Sequence, residues 1–233
     1  MIGDPVGHSL SPMLHTEMLK NAGIEGTYET VTVTAEELES FVKSARNGAF
    51  NGFNVTMPHK ESIIPLLDEL APSAQMMGAV NTVVVRNGRA IGHNTDGDGL
   101  VRSLSELPKK AVVLGNGGAA KAVSRALRQN GVKVVICARH PVGEQTPWCE
   151  LENAVVDCDL LINATCLGMA GKEQFSDFHF LKCLPKNAMV YDLVYNPRKT
   201  ELLQEAKKLC KQTVEGFTLL KSQAELAFTV FTT

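Results

Sequence analysis

Four things are missing from this chain, and each removes a class of protein. There is no C-x-x-C pair, and the six cysteines (137, 149, 158, 166, 183 and 210) are all absent from the first half. That spacing excludes a disulfide framework and suits free thiols in a reducing cytoplasm, and no metal is expected. No apolar run approaches the ~18 residues of a membrane span. The opening Met1-Ile2-Gly3-Asp4-Pro5 has no basic segment followed by an apolar core, so no signal peptide is expected. An excess of one charge is also missing. Lys plus Arg number 23 against 25 Asp plus Glu, a net charge of −2, which favours neither nucleic acid nor an anionic membrane as partner. What remains is ordinary for a globular protein: 44% hydrophobic and 21% charged over 233 residues, enough for one large or two modest domains. No repeat or low-complexity tract is visible.

The first half reads as a small α/β unit. Ser11 suits a helix N-cap and Pro12 the first helical position, with Leu14, Met18 and Ala22 at helical spacing and Gly23 as the stop. Ser9 and Ser11 at a helix N-terminus also suit a carboxylate ligand, because hydroxyls and free N–H groups converge there. Thr27 to Val33 reads as a strand, and Thr34-Ala35-Glu36-Glu37 as a capping box opening a helix to about Arg46. In Gly52-Phe53-Asn54-Val55-Thr56-Met57-Pro58-His59-Lys60 a strand gives way to a helix at Pro58. Asn54, Thr56 and Lys60 therefore gather at one corner: two hydrogen-bonding side chains and a titratable amine, suited to a hydroxyl-rich small molecule and a proton transfer. A helix over 60–70 is expected, disturbed by Pro65. A strand over 80–85, the Asn87-Gly88 type I′ turn signal and a return strand over 89–93 follow.

The return strand runs into Asn94-Thr95-Asp96-Gly97-Asp98-Gly99. This resembles the start of a calcium loop, but its twelfth position is Ser105 rather than Glu and no helix precedes it, so calcium is excluded. Glycine on both sides of Asp96 suggests a loop presenting one carboxylate, with Asp98 free to cap a helix over 99–107.

The second half begins with the apolar run Lys110–Leu114 and then Gly115-Asn116-Gly117-Gly118-Ala119-Ala120 opening a helix to about Gln129. This is G-x-G-x-x-A in strand–turn–helix context. The glycines permit a tight turn and close approach of a pyrophosphate to the backbone and the helix N-terminus. At the end of the next strand (132–137) an NAD site usually has a carboxylate for the ribose 2′-hydroxyl; here the chain reads Ala138-Arg139-His140. A guanidinium in that place suits a 2′-phosphate, so NADP(H) is favoured over NAD(H). Strands over 160–163 and 189–193 and helices over 200–210 and 218–231 complete a parallel, doubly wound pattern. The segment from Arg139 to Leu160 is short, so a crossover helix there is expected to be reduced or absent.

The blocks GDPVGHSLSP (3–12), GFNVTMPHK (52–60), GAVNTVV (78–84), NTDGDG (94–99), GNGGAAKA (115–122), INATCLGM (162–169), YDLVYNP (191–197) and EGFTLLKSQAELAF (215–228) resemble, in order and over nearly the whole chain, the shikimate dehydrogenase family, which includes shikimate/quinate dehydrogenases. The resemblance implies an N-terminal α/β substrate-binding domain (1–97, with a C-terminal helix 218–233 packing back on it). It also implies a Rossmann-like NADP-binding domain (98–217), with the active site in the cleft between them. The implied reaction is NADP-dependent, reversible reduction of 3-dehydroshikimate to shikimate in the chorismate pathway to aromatic amino acids, by a cytoplasmic monomer or homodimer. Carried over by position, Lys60 handles the proton with Asp96 as partner. Ser9 and Ser11 hold the substrate carboxylate; Asn54, Thr56, Asn81, Asp96 and Gln223 bind ring hydroxyls; Tyr195 lies near the substrate. Gly115, Asn116, Gly117, Gly118 and Ala119 cradle the pyrophosphate, and Arg139 faces the 2′-phosphate. Thr165, Met169, Leu193 and Gly216 line the nicotinamide side. The family commonly shows Asn-Arg-Thr at 138–140 and alanine at 116. Two other readings stand beside this one: a quinate/shikimate dehydrogenase using NAD, and a non-catalytic ligand-binding relative, which would have no need of the lysine–aspartate pair.

Overall fold

The computed structural model describes residues 1–7, 9–209 and 211–233. They form two units, Met1–Gly99 with Lys221–Thr233, and Leu100–Leu220.

In the first unit β1 (Ile2–Gly3) pairs in parallel with β2 (Val31–Thr32), and Ile2 also bridges to Val55. Only these two residues of the strand expected over 27–33 enter a ladder. Between them, α1 (Ser11–Ala22) ends at Gly23 in the left-handed region as expected. Its start differs from expectation. Leu10, not Ser11, is the N-cap residue, and the capping hydroxyl is that of Ser9, which accepts from Ser11 N at 3.1 Å. The Glu37 carboxylate reaches back to the N–H and hydroxyl of Thr34, both at 2.9 Å, ahead of α2 (Leu38–Ser44), which runs on into one wider turn over Ala45–Ala49.

A four-stranded sheet follows in the order β3 (Gly52–Asn54), β5 (Thr82–Arg86), β6 (Arg89–His93), β4 (Glu69–Leu70). The β5–β6 hairpin turns on Asn87 and Gly88, both with positive φ, as type I′ requires. The helix expected over 60–70 is only α3 (His59–Ser62), followed by a 3₁₀ turn at Ile64–Leu66. Pro65 has no N–H to return to the Glu61 carbonyl, so the α-helical ladder stops there. β4 and α4 (Pro72–Met77) take up the remainder. Ile2, Val33, Phe53, Val55, Ile63, Val80 and Val83 close the core between sheet and helices. Full burial of a side chain such as Phe53 or Ile63 contributes ~1.5–3 kcal/mol.

α5 (Asp96–Ser103) starts at Asp96 rather than at Gly99. Its first N–H is met by Asn94 Oδ1 at 3.1 Å, so Asn94 rather than Asp98 supplies the cap.

The second unit contains β7 (Lys110–Leu114), α6 (Gly118–Gln129), β8 (Lys133–Ala138), β9 (Thr146–Pro147), α7 (Leu151–Ala154), β10 (Leu160–Asn163), α8 (Phe180–Cys183), β11 (Met189–Asp192), α9 (Glu201–Lys208) and β12 (Gln212–Val214). The strands form one parallel sheet in the order β12-β11-β10-β7-β8-β9. Alternate residues serve opposite faces. Val112, Leu114, Leu161 and Val190 join the core that includes Leu151, Leu181 and Leu202, while Ala111, Val113, Ile162 and Tyr191 join the one that includes Val123 and Leu127 of α6. Burial on both sides is why these strands read as continuous apolar runs. The crossover between β8 and β10 is reduced rather than absent: it holds a 3₁₀ turn at Trp148–Glu150 and the four-residue α7. α9 begins one residue after Thr200, whose hydroxyl accepts from Leu203 N; its expected end at Cys210 lies outside the described residues.

α10 (Gly216–Thr232) starts in the second unit and ends in the first. A Cβ on Gly99 would lie 2.8 Å from Gln223 Cβ and 2.9 Å from its Cα, so only glycine lets α5 and α10 meet here. Among the described residues no helix is long and apolar enough to cross a membrane, and no group of three or more His, Cys, Asp or Glu is placed to hold a metal ion. Five cysteines are free thiols, with Cys137 and Cys158 buried; Cys210 lies outside the described residues.

Candidate active site

Within the first unit the strand-to-helix corner, the β5 start and the α5 start converge. Lys60, on α3, donates to Asp96 Oδ2 at 2.7 Å, with the two side chains 34% and 22% exposed. Both charges therefore keep access to a ligand. The Lys60 carbonyl accepts from Val80 N at 2.7 Å, which ties the lysine backbone to the segment leading into β5. Asn81, buried, donates to Asp96 Oδ1 at 2.8 Å, to Thr95 Oγ1 at 2.9 Å and to Gln223 Oε1 at 3.4 Å. Its own Oδ1 accepts from Thr95 N at 2.8 Å and from Thr82 Oγ1 at 2.9 Å. One amide thus holds the Asp96 carboxylate, the α5 start and α10 in register.

Asn54 is 6% exposed and largely engaged. Its Nδ2 donates to Asn81 O at 3.1 Å and Thr82 Oγ1 at 3.0 Å, and its Oδ1 accepts from Tyr28 OH at 2.6 Å. An amide has two donors and two lone pairs, so one lone pair is left for a ligand. The Tyr28 ring stacks on His15 at 4.2 Å. Burial pushes the Tyr28 phenol well above its ordinary range and pushes the His15 imidazole down to about 4. Ser9 and Ser11 form a separate pair, Oγ to Oγ at 3.1 Å, and Thr56 N bonds to Ile2 O at 3.0 Å beside the same first strand. His59 is fully buried, and its Nε2–H donates to Val33 O at 2.5 Å; it fixes the corner rather than facing a ligand.

In the second unit β7 leads into Gly115, whose φ of +99° lies in the left-handed region. A Cβ there would stand 2.9 Å from Thr165 Cγ2, so the turn after β7 and the turn after β10 touch. These neighbouring strands are where the sheet order reverses, the place at which open α/β sheets bind ligands. A Cβ on Gly117 or Gly118 would meet nothing within 4 Å, and the first helical bond is Lys121 N to Gly117 O at 3.0 Å. The amides of the first turn, Ala119 among them, are thus uncovered donors of the kind that hold phosphates. The Asn116 side chain does not point to them: it donates to His140 O at 2.8 Å and Gln145 Oε1 at 3.2 Å, bracing the loop after β8. Arg139 on that loop is 59% exposed and pairs with Glu173 at 2.8 Å. These features fit a phosphorylated dinucleotide: a donor-rich helix start, space above it, and an exposed guanidinium just past the end of β8.

The turns after β10 and β11 hang from one buried network. Asn163 Oδ1 accepts from Thr165 Oγ1 at 2.6 Å and N at 3.1 Å, and Asn163 Nδ2 donates to Asp192 Oδ1 at 2.9 Å. Asp192 also accepts from Val194 N at 3.0 Å and Thr200 Oγ1 at 2.6 Å. Burial raises its pKa, against the pull of those three bonds. Thr165 and Leu193 are thereby fixed; Met169 and Tyr195 follow on the same two turns, and Gly216 begins α10.

Tyr28, Thr82, Thr95, Asn163, Asp192 and Thr200 support the two sites although no motif singles them out. Thr82, Thr95, Asn163 and Asp192 sit inside the motif blocks, and Thr200 lies just beyond the last strand block. Tyr28 carried no such signal.

The substrate-binding-domain model of the shikimate dehydrogenase family matches residues 1–83. The NADP(+) shikimate dehydrogenase of Alkaliphilus oremlandii (strain OhILAs) is 37% identical over 257 residues, covering 100% of this chain and 90% of the relative. The crystal structure of shikimate 5-dehydrogenase from Thermus thermophilus, in complex with NADP(H) and shikimate, superposes with a TM-score of 0.87 at 37% identity, covering 99% of this chain and 91% of that one. Quinate dehydrogenase from Corynebacterium glutamicum, in complex with NAD, gives a TM-score of 0.88 at 31% identity over 99% and 92% of the two chains. With identity of this order running through both of its units, the chain belongs to the shikimate dehydrogenase family.

Proposed function

We propose that the chain catalyses the reversible, NADP-dependent reduction of 3-dehydroshikimate to shikimate, a step towards aromatic amino acids. The observation that carries this reading is the Lys60–Asp96 pair at 2.7 Å, in a chain of this family. When bound, NADPH supplies the hydride. Reduction of a ketone leaves negative charge on its oxygen, and the Lys60 ammonium offers both an opposing charge and a proton. In the oxidative direction the same amine takes the proton from the hydroxyl. Asp96 holds the ammonium in place, and Asn81 holds Asp96. Thr56, Asn81, Asp96 and Gln223 bind ring hydroxyls; Asn54 contributes its remaining lone pair and positions Asn81. The Ser9–Ser11 pair takes the carboxylate through hydroxyls already gathered at 3.1 Å. Gly117, Gly118 and Ala119 hold the pyrophosphate, Arg139 the 2′-phosphate, and Thr165, Met169, Leu193 and Gly216 the nicotinamide side.

The test is to follow NADPH absorbance with 3-dehydroshikimate, then repeat it with NADH, and in reverse with shikimate and quinate. Turnover with NADPH and 3-dehydroshikimate is expected. Efficient quinate oxidation with NAD⁺ and none of shikimate would overturn the assignment in favour of a quinate dehydrogenase.

A further inference from the structure

We propose that Glu173 sets how strongly the chain prefers a 2′-phosphorylated dinucleotide, by competing with the 2′-phosphate for Arg139. The inference rests on the reading of Arg139 as the 2′-phosphate contact. Arg139 Nη1 donates to Glu173 Oε2 at 2.8 Å, and the side chains are 59% and 65% exposed. Neither partner is on a loose segment. Glu173 O accepts from Gly168 N at 3.0 Å, and Ala170 N donates to Asn196 O at 3.0 Å, so the loop carrying Glu173 is pinned at two points. On the other side Asn116 donates to His140 O at 2.8 Å, and Gln145 Oε1 accepts from Val142 N at 3.0 Å. The two charges also line one cavity of ≈ 90 Å³ together with Trp148 and Phe175.

A phosphate seated on Arg139 must displace the Glu173 carboxylate or lie close to it. Displacement costs the existing charge-assisted bond; proximity costs like-charge repulsion. A dinucleotide without the 2′-phosphate meets neither cost. Glu173 therefore moderates the NADP preference that Arg139 creates. Because the pair is exposed, the effect is modest and weakens with salt.

The experiment is direct binding of 2′,5′-ADP, 5′-ADP, NADP⁺ and NAD⁺ to the full chain by calorimetry, at 20 mM and 500 mM salt, for the wild type, Glu173→Gln and Arg139→Gln. Glu173→Gln is expected to tighten 2′,5′-ADP and NADP⁺ about 3- to 5-fold at low salt, less at high salt, and to leave 5′-ADP and NAD⁺ within about 2-fold. Arg139→Gln is expected to collapse the difference between the two ligand pairs. If Arg139→Gln collapses it while Glu173→Gln leaves it unchanged, the competition is refuted and the cofactor reading stands. If the wild type does not distinguish 2′,5′-ADP from 5′-ADP, the cofactor reading itself fails, and the inference with it.

Discussion

Asp96 divides its two carboxylate oxygens between Lys60, at 2.7 Å from Oδ2, and Asn81, at 2.8 Å from Oδ1. The ammonium is thus aimed by a group that is itself aimed, and charge and orientation at this corner stand or fall together.

Replacing Lys60 with alanine should lower turnover at least ~10²-fold in both directions, the usual scale of acid–base catalysis. The amine is partly exposed, so the thermal midpoint should move little. Steady-state NADPH kinetics beside a melting curve separates the two effects. Near-native turnover would rule out the role given to Lys60.

Asp96→Asn should cost at least ~10-fold in kcat/KM on its own, and little more when added to Lys60→Met. The readout is a double-mutant cycle on kcat/KM. Strictly additive losses would mean that the pair does not act as a unit.

Tyr28→Phe removes the donor to Asn54 Oδ1 and leaves that oxygen buried without this partner. A loss of roughly 1–3 kcal/mol in urea unfolding is expected. Because Asn54 also holds Asn81 O and Thr82, KM for the ring substrate should rise with it. Unchanged stability and KM would show that this bond does not position the site.

His15 gives a pH signature. Burial pushes its pKa down to about 4 from an ordinary ~6.5. Between those values the unfolded chain binds the proton and the folded chain does not. Its contribution to stability is therefore full above pH ~6.5 and is lost as the pH falls towards 4, by up to about 3 kcal/mol. The difference between wild type and His15→Gln, measured by chemical denaturation from pH 4 to 7.5, should shrink in step. A pH-independent difference would contradict the burial argument.

Gly115→Ala places a side chain at a φ of +99° and within 2.9 Å of Thr165 Cγ2. It should cost ~1–3 kcal/mol in stability and weaken NADPH binding. Thermal melts with and without NADPH measure both.

How much of the fold is legible in the sequence follows from burial. The strands 110–114 and 160–163 were readable to the residue because both faces are buried and the apolar run is unbroken. The return strand 89–93 was readable because Asn87-Gly88 fixes its register. β4, β9 and β12 are short and carry little pattern. Lys60 and Asp96 are 36 positions apart, so their pairing came from resemblance to a family, not from spacing. The bracing by Tyr28, Asn163 and Asp192 was invisible because it depends on which strand ends are neighbours. Local chemistry marks Ser11 and Asp98 as caps, but Ser9 and Asn94 reach the free N–H groups.

The chain enters the first unit twice, through Met1–Gly99 and again through Lys221–Thr233. During synthesis the second unit is complete while the first still lacks Gln223, which bonds to Asn81 and Thr95, and Phe231, which packs on His15. The half that carries the lysine is therefore begun first and finished last, and a gene fragment encoding only its opening stretch would produce an unfinished site.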